Sequence, residues 1–233
     1  KNKNYVVTGD IGCYTLGCAA PLNCMDSVVC MGAGFSAGMG IAKSFEKEGV
    51  TGKVVFGVVG DSTFFHSGMT GAAEIVYNKG RMIPCVLDNR ITGMTGHQDN
   101  PGTGYTLQGD PTALLSVEKI LTALGFAPVL TVDPQDLKAM KAAVDQAVAA
   151  LDAGQQPAIV TRRPCLLIKR DKFRKGMCRV NADKCRSCRS CLKVGCPAIS
   201  LENGKAVIDR TQCVGCTVCA QVCPFDAIEK EEK

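Results

Sequence analysis

Short apolar runs alternate with helical stretches through the first two thirds of the chain. Tyr5-Val6-Val7 reads as a first strand, and Phe35 to Glu48 as a helix opened by Gly-rich sequence. Lys53 to Val59 (KVVFGVV) is apolar without alternation, as a strand buried on both faces of a parallel sheet requires. A helix is expected over Ser67 to Asn78, stopping at Lys79-Gly80. Met82 to Asp88 (MIPCVLD) reads as the next strand. Pro111 to Leu124 reads as a helix with Pro in its first turn and Gly125 past its end. Ala127 to Val132 is a strand, Pro134 to Leu151 an Ala-rich helix, and Ala158 to Thr161 a last strand. This order predicts an α/β fold over residues 1–162, a doubly wound parallel sheet with helices on both faces. Such sheets bind ligands beyond the carboxyl ends of their strands.

The text then changes. Arg163 to Met177 is Arg/Lys-rich and aperiodic, and reads as a basic linker. Residues 178–233 repeat themselves: Asp183 to Cys191 aligns with Thr211 to Cys219 at an offset of 28, and each half closes on Cys-Pro. This is a duplicated supersecondary unit. Fifty-odd residues build little apolar core, so an inorganic group is expected to hold this small α+β domain together.

Composition narrows the picture. Of 233 residues 46% are hydrophobic and 21% charged, which supports a packed core and excludes wholesale disorder. The apolar runs are short and Gly-broken, so no membrane span is expected. No secretory leader opens the chain, and its partners are expected to be reached in the cytoplasm. It starts on Lys1 without Met, which points to a processed product or a piece of a longer polypeptide. The net charge of +5 is concentrated: Arg162 to Lys193 holds twelve Lys/Arg against Asp171 and Asp183. Beside metal clusters of net negative charge such residues act as counter-charge, and nucleic acid is not an expected partner.

Cysteine is the outlier, with 15 residues, eight of them between Cys185 and Cys223. Cys213-x2-Cys216-x2-Cys219-x3-Cys223-Pro224 is the run that wraps three corners of a [4Fe–4S] cubane and lends its fourth thiolate to a second one. Cys185, Cys188, Cys191 and Cys223 are thus assigned to one cluster, and Cys213, Cys216, Cys219 and Cys196 to the other. The first run carries four residues between Cys191 and Cys196, an extra residue expected to be absorbed at Gly195. Disulfides suit secreted chains and zinc suits paired Cys-x-x-Cys, so triplets with Cys-Pro tails favour iron–sulfur. Cys24, Cys30 and Cys85 lie in apolar company and read as packed thiols. Cys18 and Cys178 have no evident role.

Gly60-Asp61-Ser62 follows one buried strand and Asp88-Asn89-Arg90-Ile91 the next. A carboxylate, an amide oxygen and a nearby carbonyl form a hard-oxygen set for Mg²⁺, which completes its shell with water and ligand phosphates. The helix after Asp61 offers free N–H groups to a diphosphate. Gly32-x-Gly34-x-x-Ala37 matches a dinucleotide fingerprint formally, but no acid ends the following strand except Asp61; close helix packing is the better reading.

Gly-Asp followed about 25 residues later by Asn resembles the thiamine diphosphate motif, with Ser62 in place of the usual Gly. Gly9-Asp10-Ile11-Gly12-Cys13-Tyr14-Thr15-Leu16-Gly17, Gly60 to Gly68 and Met94-Thr95-Gly96-His97-Gln98 resemble the large subunit of indolepyruvate:ferredoxin oxidoreductases, which also ends in a two-cluster ferredoxin domain. The resemblance implies a thiamine diphosphate fold with Asp61, Asn89 and the Ile91 carbonyl as Mg²⁺ ligands. It implies oxidative decarboxylation of an arylpyruvate such as indolepyruvate to the acyl-CoA. Electrons would pass through two [4Fe–4S] clusters to an external ferredoxin, in an oxygen-free cytoplasm. It further implies an upstream thiamine-pyrimidine domain and a smaller beta subunit as partners. In the wider 2-oxoacid family Cys13 and Cys165 fall where ligands of a third cluster would be. His66 and His97, the only histidines, lie in loops beside the expected site and are candidates for contact with diphosphate or a substrate carboxylate. Competing readings are a pyruvate-type oxidoreductase, a non-oxidative decarboxylase with structural clusters, and an electron-transfer module on a docking scaffold.

Overall fold

The computed structural model describes residues 4–168 and 176–231. Contacts divide the chain into two units, one running to Cys165 apart from Ala19–Leu22 and Gln135–Leu137, the other from Leu166 onward with those two short segments. Seven residues of the expected linker, 169–175, lie outside the described residues.

The first unit is a six-stranded parallel sheet in the order β2-β1-β3-β4-β6-β5. The strands are β1 (Tyr5–Gly9), β2 (Ser27–Val28), β3 (Val54–Gly60), β4 (Met82–Asp88), β5 (Val129–Val132) and β6 (Ala158–Arg162). Alternation along each strand feeds two cores. Val55, Val59, Met82 and Val86 point to one face, under helices α1 (Ala33–Lys47), α3 (Met69–Tyr77) and α4 (Val117–Leu124). Val54, Phe56, Ile83 and Cys85 point to the other, under α5 (Leu137–Asp152). The doubly wound α/β fold expected from the sequence is the one observed. Strand order reverses between β1 and β3, and that switch point opens a crevice at the strands' carboxyl ends.

The Gly32-Gly34 run packs a helix on the sheet. A Cβ on Gly34 would stand 2.2 Å from the Val58 carbonyl oxygen, and one on Gly57 would stand 2.6 Å from that of Gly34. The Thr8 hydroxyl donates to the Gly34 carbonyl at 2.6 Å, locking β1 to α1.

Several boundaries differ from the sequence reading. The helix expected at Ser67 begins at Asp61 itself as the short α2 (Asp61–Thr63), then widens into a π turn over Phe64–Gly68 before α3. That turn lets the consecutive Phe64 and Phe65 both go inward, their rings edge to face at 5.7 Å. The helix expected from Pro111 starts only at Val117. Pro111 is bridged to Tyr105, Thr112 donates to Gly104, and the Ser116 hydroxyl caps Lys119. At the end of α3 the left-handed residue is Lys79 (φ 51°), not Gly80. Gly80 is small for packing: its Cβ would meet Met39 Sδ at 2.1 Å.

The second unit shows the duplication as structure. β7 (Met177–Val180) pairs antiparallel with β10 (Ile228–Glu231), and β8 (Ile199–Glu202) with β9 (Lys205–Ile208) through an Asn203-Gly204 turn. Equivalent positions share conformations. Gly176 and Gly204 have φ of 81° and 79°, Ser187 and Gly215 of 56° and 70°, and Arg189 and Thr217 of 61° and 63°. Cys185 donates to the Asn181 carbonyl as Cys213 does to Asp209. The left-handed residues curl each Cys-x-x-Cys loop back on itself. A short helix, α6 (Val218–Gln221), follows the second loop.

Candidate functional site

The crevice at the switch point is a cavity of about 330 Å³. Tyr14, Gly60, Asp61, Ser62, Asn89 and Ile91 line it, with Cys13, Met31 and Arg163 further round. The expected cofactor residues therefore converge on one space. Each arrives there because a buried strand ends beside it: Asp61 after β3, Asn89 after β4.

Asp61 is 2% exposed and accepts from the Asn100 amide at 3.1 Å. Burial pushes its carboxyl up to about 6, helped by the negative charge of Asp88 and opposed by the Asn100 bond. Asp88 is also buried, but Arg162 holds it at 2.8 Å and Arg90 at 3.3 Å. The Asn89 side-chain oxygen accepts the Ile91 N–H at 3.2 Å, and the Asn89 carbonyl accepts the Cys165 N–H at 2.9 Å. These bonds fix the loop after β4, whose residues Asn89 and Ile91 line the cavity. Ser62 is bonded through its hydroxyl to Thr92 at 2.9 Å.

A buried carboxylate that would rather be neutral, beside an amide oxygen in the same cavity, is what a small hard cation relieves. The residues fit Mg²⁺ and a diphosphate at the start of the helix that Asp61 opens.

Three residues of the site were given no role there from the sequence. Asp10, fully buried at the end of β1, accepts the Gly32 N–H at 2.9 Å and the Tyr14 hydroxyl. The Tyr14 oxygen in turn accepts the Gly60 N–H at 2.8 Å. This chain ties the ends of β1 and β3 together across the crevice, and burial pushes the pKa of both the Asp10 carboxyl and the Tyr14 hydroxyl above their usual ranges. The signal was available as a second strand-Gly-Asp ending, Gly9-Asp10, matching Gly60-Asp61. Asn100 had no local signal; its loop brings it to Asp61 across 39 residues.

His66 and His97 are both exposed and neither lines the cavity, so the structure does not bring them to Asp61. Cys13 is exposed on the cavity wall, while Cys165 is half-buried and outside the lining. Cys30 is exposed rather than packed, because β2 ends two residues before it. Cys85 is packed as expected, and burial pushes its thiol up to about 12.

In the second unit a small cavity is ringed by Cys185, Cys188, Cys191 and Cys223, with Val180, Leu201, Ala206, Ala227 and Ile228 as its apolar wall. These are three thiols of one run and the last of the other. Cys213, Cys216, Cys219 and Cys196 form the second neighbourhood, where burial, and then the nearby sulfurs of Cys178, Cys216 and Cys196, push the Cys219 thiol up to about 12. Thiols crowded at such positions are stabilised by a cation that takes them as thiolates. Gly195 has φ of 70°, the left-handed turn that takes up the extra residue before Cys196. Among the described residues no three His, Cys, Asp or Glu side chains converge as a single metal ion requires; the first four cysteines ring a gap instead.

Comparison with known proteins agrees with this geometry. Residues 10–161 match the thiamine pyrophosphate enzyme family, C-terminal TPP binding domain, and residues 206–229 match a 4Fe-4S binding domain. The chain belongs to the thiamine pyrophosphate enzyme family through that domain, and carries an iron–sulfur domain after it. Among curated proteins it is 39% identical over 241 residues to an indolepyruvate oxidoreductase subunit IorA of Pyrococcus abyssi, covering 97% of this chain and 37% of that protein. It is 40% identical to the IorA subunit of Thermococcus kodakarensis, covering 96% of this chain and 36% of that protein. The chain thus spans just over a third of the length of these relatives. A solved 2-oxoglutarate:ferredoxin oxidoreductase from Magnetococcus marinus shares the fold, with a TM-score of 0.53 at 16% identity over 70% of this chain and 55% of that one. No helix among the described residues is long and apolar enough to cross a membrane.

Proposed function

We propose that this chain is the diphosphate-anchoring and electron-relay portion of a thiamine-dependent 2-oxoacid:ferredoxin oxidoreductase of the indolepyruvate type. Two lines support the reading: the 38–40% identity to indolepyruvate oxidoreductase subunits along nearly the whole chain, and the cavity that unites Asp61, Asn89 and Ile91. The second observation carries the chemistry. Residues 1–162 are proposed as the thiamine diphosphate and Mg²⁺ domain, 163–177 as a linker, and 178–233 as the domain of two [4Fe–4S] clusters.

Asp61, Asn89 and the Ile91 carbonyl would hold Mg²⁺, and Gly60, Ser62 and the first N–H groups of the Asp61 helix would meet the diphosphate. Thiamine diphosphate, when bound, supplies a carbanion nucleophile and an electron sink for decarboxylation of a 2-oxoacid. The protein's part is to position and to charge-balance. The Asp10–Tyr14–Gly60 chain keeps the β3 corner closed on β1, and the β4–β6 bonds hold Asn89 against it. The two cysteine sets would hold the cubanes that carry electrons toward an external ferredoxin, while coenzyme A takes the acyl group. An upstream domain for the aminopyrimidine end and a smaller second subunit belong to the proposal. No step is assigned to His66 or His97, and a third cluster at Cys13 and Cys165 is not part of it.

The test is anaerobic assay of the chain together with its complementing domains, scanning 2-oxoacids for ferredoxin reduction. Reduction with arylpyruvates above pyruvate supports the substrate class. Reduction of the clusters by dithionite but by no 2-oxoacid would leave only the electron-transfer reading.

A further inference from the structure

The two halves of the iron–sulfur unit are wound alike but present different surfaces. Aligned at an offset of 28, Lys184-Cys185-Arg186-Ser187-Cys188-Arg189 stands opposite Gln212-Cys213-Val214-Gly215-Cys216-Thr217, and Lys193 stands opposite Gln221. Lys184, Arg186, Arg189 and Lys193 thus take positions that are neutral in the twin. Exposure follows the same division. Arg186, Ser187, Cys188 and Arg189 are all exposed, whereas Val214, Cys216 and Thr217 are half-buried and Gly215 is buried. Lys184 is paired with Glu229 at 2.8 Å, but Arg186, Arg189 and Lys193 are in no ion pair among the described residues. The Cys-Pro tails differ too. Phe225, two residues after Cys223, is 44% exposed and borders the same gap as Arg186 and Arg189, while Ala198, two residues after Cys196, is buried.

One face of the unit therefore carries an exposed basic loop beside an exposed aromatic ring, directly over the gap ringed by Cys185, Cys188, Cys191 and Cys223. Offsetting the charge of a cluster does not explain this, because two like clusters carry like charge and only one loop is basic. The nearby acids Asp183 and Asp226 are outnumbered, and Glu229 is already engaged by Lys184 and Arg179. Arginine and aromatic side chains are what protein interfaces enrich, and a patch of one charge steers an oppositely charged partner to it.

We propose that this face docks a soluble one-electron carrier with an acidic surface, so that electrons leave the domain through the cluster of Cys185, Cys188, Cys191 and Cys223 and not through its twin. The inference rests on the assignment of two clusters under the proposed function and names the exit of that relay; it does not depend on thiamine or on the substrate. The step moves one electron. The cluster returns from its reduced to its oxidised level, the carrier's oxidised iron–sulfur group is reduced by the same electron, and no bond or proton moves.

The experiment is anaerobic stopped-flow mixing of the full chain, reduced by dithionite and freed of the excess, with an oxidised acidic [2Fe–2S] ferredoxin at several salt concentrations. A neutral nitroimidazole serves as a second acceptor, and iron is counted in every sample. The double variant Arg186→Gln with Arg189→Gln should keep its iron and react with the ferredoxin about tenfold more slowly at low salt. The difference should close as salt rises toward 1 M, where screening acts over about 3 Å. Both proteins should reduce the nitroimidazole equally fast. An unchanged ferredoxin rate and salt slope in the variant would overturn the proposal. So would equal slowing toward both acceptors, which marks an altered cluster and not lost docking. Should the variant lose iron, polyglutamate added to the unaltered chain decides: it should slow transfer to the ferredoxin and not to the nitroimidazole, and absence of competition overturns the proposal. Fewer than two clusters in the unaltered chain would instead overturn the cluster assignment.

Discussion

Asp61 concentrates the electrostatics of the first unit in one atom group. Its carboxyl, held near 6 against an ordinary 3.8, disfavours the metal-free fold at pH 7 by about 3 kcal/mol. The sign follows from a raised carboxyl: the penalty is present above about pH 6 and disappears as pH falls toward 4. Asp61→Asn should therefore stabilise the metal-free chain at pH 7 by about 1–3 kcal/mol in denaturant unfolding, since the Asn100 amide still finds an oxygen. The same variant should abolish Mg²⁺-dependent thiamine diphosphate binding in calorimetry and leave iron content unchanged. A destabilised variant would contradict the burial argument. Mg²⁺ binding requires the ionised carboxylate, so affinity should fall about tenfold for each pH unit below about 6. A pH-independent affinity from 7 to 5 would show that Asp61 is not a ligand. At this scale the sequence was informative where chemistry is local. Asp61, Asn89 and the eight cysteines announce themselves by spacing. Asn100 and Tyr14 do not, because their partners lie 39 and 46 residues away.

At the scale of elements, the sheet was readable because buried parallel strands are apolar without interruption, and β3 and β4 were bounded to within a residue. Helix starts were not. Nothing in the run Asp61 to Gly68 has helical periodicity, since the π turn puts adjacent phenylalanines inward. The helix that presents its N–H groups to the crevice was thus placed six residues late. The false start at Pro111 came from trusting proline at a first turn over Ser116 as a cap. The α1–β3 contact allows a sharper test. Gly34→Ala should cost about 1–3 kcal/mol by forcing a methyl group into the Val58 carbonyl. Gly40→Ala, on the same helix with nothing within 4 Å, should gain about 0.5–1 kcal/mol. Urea unfolding of the pair separates packing from helix propensity; equal effects would refute the close-contact reading.

Over the whole molecule, a thiamine-type sheet and a duplicated iron–sulfur unit follow one another in a single chain. Their succession was visible in composition alone, because the cysteines crowd into the last quarter. The units are chemically separable, so Cys216→Ala should remove about four irons per chain, read by iron analysis and the loss of one paramagnetic species. Thiamine diphosphate affinity should stay the same, and its loss would show that the units depend on each other.

The ring formed by Cys185, Cys188 and Cys191 closes with Cys223, and among the described residues β7 pairs with β10 alone. During synthesis the leading half of this domain therefore emerges from the ribosome with three thiols and an unpaired edge, and must wait some thirty residues for its missing corner. Under the proposed ligand assignment, metal loading of the earlier-made site is tied to the arrival of the later-made segment. A stalled or nicked polypeptide that stops short of Cys223 would then forfeit the cluster whose other proposed ligands it made first.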